Sequence, residues 1–171
     1  MNQINRQFYK TPYGELILGS HNKSLCLCDW RFRKMRSAVD QRIARYFEAQ
    51  FVEKDDQVLK DTRRQLEEYF SYRRKQFDIP LLMAGTDFQK RVWSELGTIS
   101  YGTTSSYREL AERIGNKKAV RAVATANGAN ALSILIPCHR IIGSSGDLVG
   151  YAGGLNTKKK LLLLEQNLFG I

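Results

Sequence analysis

The residue types with the clearest chemistry stand together at Cys138-His139-Arg140, directly after an apolar run at 134–136 and Pro137. A thiolate is a nucleophile where a thiol is not, and a neighbouring histidine or arginine lowers the pKa of a thiol. The apolar run indicates that the motif lies at the end of a buried segment. We therefore expect that the reactive atom of this protein is the sulfur of Cys138.

The backbone around this cysteine limits how the histidine could assist it. Pro137 restricts the residue before it to an extended conformation, so an apolar strand should run straight to the cysteine. Adjacent extended residues point to opposite sides, so a bond between Cys138 and His139 requires a turn or an intervening water. A carboxylate could orient the histidine from its far side, and the downstream candidates are Asp147 and Glu165. On these residues alone, a buried and inert cysteine is the commoner alternative.

Composition places this chemistry in a basic protein. The 171 residues carry a net charge of +10, with a pI near 9.7, which favours a polyanionic partner and nucleic acid first. The excess is spread evenly, since residues 1–83 hold 16 Lys and Arg against 11 Asp and Glu, and residues 84–171 hold 11 against 6. A basic protein without such a partner is the alternative. Three cysteines without framework spacing, no secretory signal and no bilayer-length apolar run predict a cytoplasmic protein without disulfides or membrane contact.

The first part of the chain indicates strands followed by helices. Short β-prone runs separated by turn residues predict an antiparallel meander over 7–10, 15–19 and 24–30. Two helical stretches follow, the second from about Gln57 to Tyr72, and then an extended segment at 77–81. We place a domain boundary after residue 83.

The second part of the chain indicates helices. Thr86 and Gln89 form a capping box for a helix that Gly97 ends, and Ser106 and Glu109 form a second box for a short helix. A third helix is predicted from Lys117 to Gly128. Two short helices around a glycine-containing turn are typical of a helix-turn-helix, although any helical hairpin gives the same pattern. The fold class is therefore an α/β domain with an antiparallel sheet, followed by a helical domain.

Residues 86–169 resemble the C-terminal domain of the O6-alkylguanine-DNA alkyltransferases, a family of direct-reversal DNA repair proteins, and its bacterial members in particular. The motif Pro137-Cys138-His139-Arg140 matches the active-site motif of that family. Further blocks match in order: Ser106-Tyr107, Arg121-Ala122-Val123, Asn127-Gly128-Ala129-Asn130, Gly150-Tyr151-Ala152-Gly153-Gly154 and Leu163-Leu164-Glu165. The resemblance implies a ribonuclease H-like domain over residues 1–83 and a winged-helix-like domain over residues 84–171.

The resemblance also implies a single-use reaction. In this family the thiolate takes an alkyl group from guanine O6 by in-line displacement, and the protein stays alkylated. A relay of glutamate, histidine, water and cysteine assigns these roles to Glu165, His139 and Cys138, and leaves Asp147 outside the site. It implies no cofactor and no metal. The implied partner is double-stranded DNA that carries O6-alkylguanine, with O4-alkylthymine left open as a second substrate.

Access to a base inside a duplex requires that the base is flipped out of the stack. By resemblance, Arg121 fills the vacated place, and Tyr107 bonds the flipped base and rotates its phosphate. The recognition helix of this family enters the minor groove, and small residues suit so close an approach. The small residues of the predicted third helix are Ala119, Ala122, Ala124, Ala126 and Gly128. A tightly packed, alanine-rich core helix is the alternative.

Two loops are implied to form the base pocket. Tyr151 would pack on the extruded base, and the backbone of Ala152 would contact O6. Gly153 stands where some family members have a large residue, so we expect room for adducts larger than methyl. Asn130 matches an asparagine that ties the preceding turn to the cysteine loop, while Ala131 replaces the usual proline and leaves that loop less constrained.

The last predicted helix begins with a run of lysines at 158–160. Cations at a helix N-terminus oppose the helix dipole, which suggests that these lysines face phosphate, with a solvated face as the alternative. Farther along this helix, Leu161, Leu164 and Leu168 are predicted to lie in the core.

Cys26 and Cys28 alternate with leucines in the third predicted strand. Their spacing predicts that both thiols share one buried strand face. A zinc site that includes His21 is the less favoured alternative, because it falls short of four ligands.

Three other functions fit parts of the pattern. A non-catalytic damage-recognition module would lack the nucleophilic cysteine that Cys138 supplies. A regulator that uses methylation as a signal would need a second effector domain with its own cysteine cluster, and a cysteine hydrolase would need an oxyanion site and turnover. We therefore expect a single-turnover S-methyltransferase that modifies itself, monomeric in solution, with cooperative binding along DNA left open.

Overall fold

The predicted meander forms the core of a four-stranded sheet. The structure, a computed structural model, describes residues 2–166. The meander consists of β1 (Gln3–Thr11), β2 (Gly14–His21) and β3 (Ser24–Trp30). A fourth strand, β4 (Gln50–Glu53), pairs with β1 in parallel, and the strand order is β3-β2-β1-β4. The sheet is therefore mostly antiparallel, and its four-residue edge strand was too short for the sequence pattern to predict.

Helices cover both faces of this sheet. On one face, α1 (Arg36–Tyr46) buries Val39 and Ile43 against an apolar cluster that includes Ile4, Ile17 and Leu27. On the other face, α2 (Gln57–Phe70) buries Leu59, Leu66 and Tyr69 against Leu16, Leu18 and Leu25. The helix predicted from about residue 57 to residue 72 is thus confirmed and ends two residues earlier. Because both faces are covered, β2 and β3 are buried almost throughout.

A β-bulge decides where the two cysteines of β3 point. The register of β2 and β3 shifts between Gly19 and Ser20, and Cys26 is the extra residue on the bulged strand. A bulge reverses the in-and-out alternation beyond it. Cys26 therefore packs with the α1 side of the sheet and Cys28 with the α2 side, so the prediction that they share a face is wrong. Within residues 2–166, no group of three or more His, Cys, Asp or Glu side chains is placed to hold a metal ion.

Three helices pack together in the C-terminal part: α3 (Asp87–Leu96), α4 (Tyr107–Arg113) and α5 (Val120–Gly128). They are followed by α6 (Leu155–Glu165), while β5 (Ser105–Ser106) and β6 (Ile141–Ile142) form a small parallel pair. The capping box of Thr86 and Gln89 is complete. The third predicted helix begins three residues later than expected, at Val120.

The second capping box forms only in part. The hydroxyl of Ser106 accepts the backbone N–H of Glu109 at 3.1 Å, as predicted. The carboxylate of Glu109 instead accepts the hydroxyl of Ser105 at 2.8 Å. The adjacent serine thus competes for the carboxylate that would otherwise close the box.

One apolar cluster joins the two parts of the chain, since it runs from α2 and the sheet to α3, α4, α5 and α6. Leu161 and Leu164 of α6 belong to it, as predicted, while Leu168 lies outside the described residues. None of the described helices is long and apolar enough to cross a membrane. The four-stranded sheet with its covering helices, followed by a helical part, confirms the mixed α/β fold class.

Candidate active site

The motif cysteine lies on a tight turn. Residues Cys138–Arg140 form a single 3₁₀ turn, in which the N–H of Arg140 donates to the carbonyl of Pro137 at 3.0 Å. Before it, Ser133 bridges to Ile136, and Ile134 adopts a left-handed backbone with φ of 74°. The prediction of a straight apolar strand is therefore wrong, because the run folds back on itself. The sequence required a turn or a water if His139 is to assist the adjacent Cys138, and the structure has such a turn.

Asn130 braces this turn from inside. Its Nδ2 donates to the carbonyl of Ile136 at 2.9 Å, and its Oδ1 accepts the N–H of Leu132 at 3.0 Å. Asn130 is 1% exposed, so neither bond competes with water. The amide thus links residue 130 to the chain just before Cys138, which is the position that the resemblance implied for it.

A buried carboxylate lies behind the histidine. Oε2 of Glu165 accepts Nε2 of His139 at 2.7 Å, and Arg140 donates its Nε to Oε1 at 2.7 Å and its Nη2 to Oε2 at 3.0 Å. All three side chains are buried. Asp147, in contrast, is exposed and accepts the hydroxyl of Ser145, so it does not join this cluster. Of the two carboxylates left open by the sequence, the fold brings only Glu165 to the histidine.

The protonation states in this cluster follow from its bonds. Burial raises the pKa of Glu165, but the hydrogen bonds and charges of His139 and Arg140 outweigh that and lower it to about 2. Burial lowers the pKa of His139 more than its carboxylate partner raises it. At neutral pH the pair is therefore a carboxylate and a neutral imidazole. The imidazole Nδ1 is buried and has no hydrogen-bond partner among residues 2–166, so it can serve as an acceptor.

The thiol itself rests in its protonated form. Cys138 is 3% exposed, and burial raises its pKa to about 11, although the side chain of Asn130 lowers it somewhat. The expectation that the neighbouring His139 and Arg140 lower the thiol pKa is therefore wrong, because the imidazole is neutral and the guanidinium is bonded to Glu165. A reaction at this sulfur needs a base to remove its proton.

A cavity of about 330 Å³ opens onto the sulfur. The residues of the C-terminal part that line it include Tyr107, Asn127, Tyr151 and Ala152. All of these except Asn127 belong to the predicted site. Residues 33–35 of the loop between β3 and α1 also line the cavity. Neither Asn127 nor this loop was predicted, and the loop's only sequence signal is a short basic run.

Trp30 occupies the space beside Gly153. A β-carbon added to Gly153 would lie 2.8 to 2.9 Å from the indole of Trp30, closer than side chains approach one another. Trp30 also donates its Nε1–H to the hydroxyl of Tyr151 at 3.0 Å. An indole from the sheet therefore fills the space beside Gly153, while the acceptance of adducts larger than methyl stays a prediction.

The small residues of α5 do not all face outward. Ala122 and Gly128 are exposed, and Ala124 lines the cavity. Arg121 of the same helix is also exposed. Ala119 is half-buried against the core. Ala126 is 2% exposed and packs inside, so its predicted contact with DNA is wrong and the core alternative applies to it.

The lysine run of α6 also divides by helical position. Lys158 is fully buried, because it lies on the same face as Leu161 and Glu165, and its Nζ donates to the carbonyls of Val149 and Gly150 at 2.6 and 3.2 Å. It holds the loop before Tyr151 in place. The prediction that this lysine faces phosphate is therefore wrong. Lys159 and Lys160 are exposed.

Comparisons with known proteins agree with this architecture. Residues 4–83 match the family model "6-O-methylguanine DNA methyltransferase, ribonuclease-like domain", and residues 87–167 match "6-O-methylguanine DNA methyltransferase, DNA binding domain". A methylated-DNA–protein-cysteine methyltransferase of Methanosarcina barkeri is 42% identical over 158 residues, which cover 92% of this chain and 94% of that protein. One of Mycobacterium tuberculosis is 53% identical over 103 residues, covering 60% and 62%.

The fold comparison gives the same result. The crystal structure of Mycobacterium tuberculosis OGT in complex with DNA superposes with a TM-score of 0.80 and 37% identity, covering 96% of this chain and 92% of that one. The two family models together span residues 4–83 and 87–167, which include the cysteine turn. The chain belongs to the 6-O-methylguanine DNA methyltransferase family.

Proposed function

We propose that this protein repairs O6-alkylguanine in double-stranded DNA by transferring the alkyl group to its own Cys138. The observation that carries the proposal is a buried thiol that faces a cavity, beside an imidazole whose far nitrogen is held by a carboxylate. The relatives named for methylated DNA and protein cysteine, and the relative solved with DNA, supply the substrate. We place the domain boundary after residue 83, which agrees with the ranges of the two family models.

The transfer needs no reactant beyond the thiol and the alkylated base. The sulfur of Cys138 attacks the alkyl carbon, the S–C bond forms, and the C–O6 bond breaks with its electron pair on guanine. The thiol proton passes through a water to Nδ1 of His139 and ends on the departing guanine, which leaves as the neutral base. The thioether that remains has no leaving group, so each molecule reacts once.

His139 is suited to this role by its surroundings. It is neutral at rest, so it can accept a proton, and Glu165 stabilises the imidazolium that forms. Arg140 keeps Glu165 ionised throughout. The high pKa of the thiol keeps Cys138 unreactive toward other electrophiles until a base is engaged.

Access to the cavity follows from α4 and α5. Tyr107 at the start of α4 and Ala124 of α5 line it, and Arg121 is exposed on the same helix as Ala124. We assign Arg121 to the place of the flipped base, and Tyr107, Tyr151 and Ala152 to contacts with that base. Ala122 and Gly128 leave room at the surface of α5 for the minor groove.

The stoichiometry of transfer tests the proposal. The wild type is incubated with a duplex oligonucleotide that carries one O6-methylguanine with a labelled methyl group. The label transferred to the protein is then counted. We expect one methyl per protein molecule, on the peptide that contains Cys138, and no transfer to Cys138→Ser. Cys26→Ser is the matched control, because that buried thiol bonds the carbonyl of Gly19 and a hydroxyl can do the same. Transfer by Cys138→Ser, or repair of many lesions by one molecule, would contradict the proposal.

A further inference from the structure

A tyrosine of the N-terminal part reaches the carboxylate of the site. Tyr69 lies on α2 and is fully buried, and its hydroxyl donates to Oε2 of Glu165 at 2.6 Å, across 96 residues of sequence. The same oxygen accepts Nε2 of His139 at 2.7 Å. Two donors from different parts of the fold thus share one carboxylate oxygen.

This oxygen carries more hydrogen bonds than its partner oxygen. Oε2 accepts from Tyr69, from His139 and from Nη2 of Arg140, while Oε1 accepts Nε of Arg140. Burial and the nearby Glu165 hold the pKa of Tyr69 well above its usual value, so its hydroxyl stays a donor. Because hydrogen bonds to one acceptor draw on the same electron density, the tyrosine competes with the imidazole for Oε2.

We propose that Tyr69 is a positioning residue for the alkyl transfer, which shares Oε2 of Glu165 with His139 and so limits how strongly that oxygen binds the imidazole. The inference rests on the proposed function, because it assigns Tyr69 to the same relay. It also gives the N-terminal part a direct share in the chemistry, although Tyr69 is not among the residues that line the cavity of Cys138.

Other charged and titratable groups also face this pair. Arg140 and Tyr101 lie near Glu165, while Arg140, Lys158 and Tyr151 lie near His139. Removal of the hydroxyl of Tyr69 alters none of these groups directly. Tyr69→Phe keeps the ring that packs against Phe70, Phe77 and Tyr101, so the variant isolates the hydroxyl.

The sign of the effect follows from the competition. Without the hydroxyl, Oε2 binds the imidazole N–H more strongly and stabilises the imidazolium, so the pKa of His139 rises. His139 accepts a proton only when neutral, so the acid limb of the rate of transfer moves to higher pH. We expect a shift of about half a pH unit or more, which corresponds to roughly a threefold change in the protonation equilibrium.

The experiment compares the wild type, Tyr69→Phe and Tyr101→Phe. Tyr101→Phe is the matched control, because its ring lies near Glu165 but its hydroxyl donates no hydrogen bond to that carboxylate within residues 2–166. Single-turnover rates on methylated duplex are measured from pH 5 to pH 9, and folding is checked by thermal unfolding. We expect an upward shift of the acid limb in Tyr69→Phe alone, and coincident profiles for Tyr69→Phe and wild type would overturn the inference.

A second readout does not depend on alkyl transfer. The chain has two histidines, so the ring N–H signals of His139 can be separated from those of His21 in ¹H–¹⁵N spectra. We expect the Nε2–H signal of His139 to move downfield in Tyr69→Phe, while His21 stays in place as the reference. An unmoved His139 signal would overturn the link even if the wild type proved to transfer no alkyl group, and the latter result would count against the proposed function alone.

A third variant covers the case in which Tyr69→Phe does not fold. Difluorotyrosine placed at position 69 keeps the hydroxyl and makes it a stronger donor. The acid limb should then move to lower pH, opposite to Tyr69→Phe. An unchanged profile in this variant would also overturn the inference.

Discussion

The indole Nε1–H of Trp30 donates to the hydroxyl of Tyr151 at 3.0 Å, and the two rings meet edge to face with centroids 6.3 Å apart. Trp30 is the last residue of β3, whereas Tyr151 belongs to the loop that lines the cavity of Cys138. The sheet thus determines where the pocket loop lies. Together with the bond from Tyr69 to Glu165, this contact brings the N-terminal part to the site from two sides.

Gly153 and Trp30 should behave as a coupled pair. Gly153→Ala places a β-carbon within 2.9 Å of the indole, which forces the loop or the ring to move. We expect a loss of about 1–3 kcal/mol in the free energy of unfolding and slower transfer from duplex. Adding Trp30→Leu should restore part of the stability, because it removes the indole ring with which the added β-carbon clashes. Strictly additive effects of the two substitutions, measured by urea unfolding, would argue against the coupling.

Stability should fall on the acid side in two stages. His139 has a lowered pKa in the folded state, so the unfolded chain binds a proton first, and stability declines as the pH falls below about 6.5. Glu165 has a folded pKa of about 2 against 4.5, so its contribution is complete above pH 4.5 and is lost as the pH falls toward 2. In the second stage, the free energy of unfolding falls by about 3 kcal/mol.

Urea unfolding between pH 7 and pH 2.5 measures this decline. Glu165→Gln should be less stable at pH 7 and should lack most of the second stage. Glu112→Gln, an exposed carboxylate on α4, should keep the wild-type pH profile. Parallel profiles for Glu165→Gln and wild type would show that the carboxylate is not the source.

Asn130 should matter for both stability and reactivity. Asn130→Ala leaves the N–H of Leu132 without a partner in a buried turn, and it leaves the carbonyl of Ile136 with only the N–H of Cys138. This should cost about 1–3 kcal/mol in the free energy of unfolding. It also removes a group that lowers the pKa of Cys138, so transfer at pH 7 should slow. Asn156→Ala, an exposed amide on α6, is the control. Unchanged stability in Asn130→Ala would exclude the bracing role.

Arg121 should be needed only when the base must leave a duplex. Arg121→Ala should slow transfer from duplex about tenfold or more, which corresponds to roughly 1.4 kcal/mol or more. Its reaction with free O6-alkylguanine base should remain near wild type, because the exposed guanidinium lies outside the cysteine cluster. Lys60→Ala, an exposed cation on α2, controls for net charge. Equal losses on both substrates would remove the proposed role of Arg121 in base flipping.

Local sequence was sufficient for most of the elements and for the centre of the site. The meander, the capping box of Thr86 and the helix α2 depend on residues within one or two turns of each other, so their patterns can be read directly. The bulge at Cys26 and the parallel strand β4 depend on partners elsewhere in the chain. The fold-back at Ile134 is anchored by the N–H of Ser133, which donates to the carbonyl of Cys28 in β3. Those are the places where the sequence-based expectations were incomplete or wrong.

By itself, the sequence determined that a thiol and an imidazole adjoin at Cys138 and His139, and the motif blocks around them identified the family. Only the tertiary structure decided that Lys158 points inward, and that Tyr69 and Trp30 reach the site. The reason is physical. Hydrogen bonds between buried groups form wherever packing brings a donor to an acceptor, and in Tyr69 and Trp30 nothing in the local pattern distinguishes such a donor from an ordinary core aromatic residue.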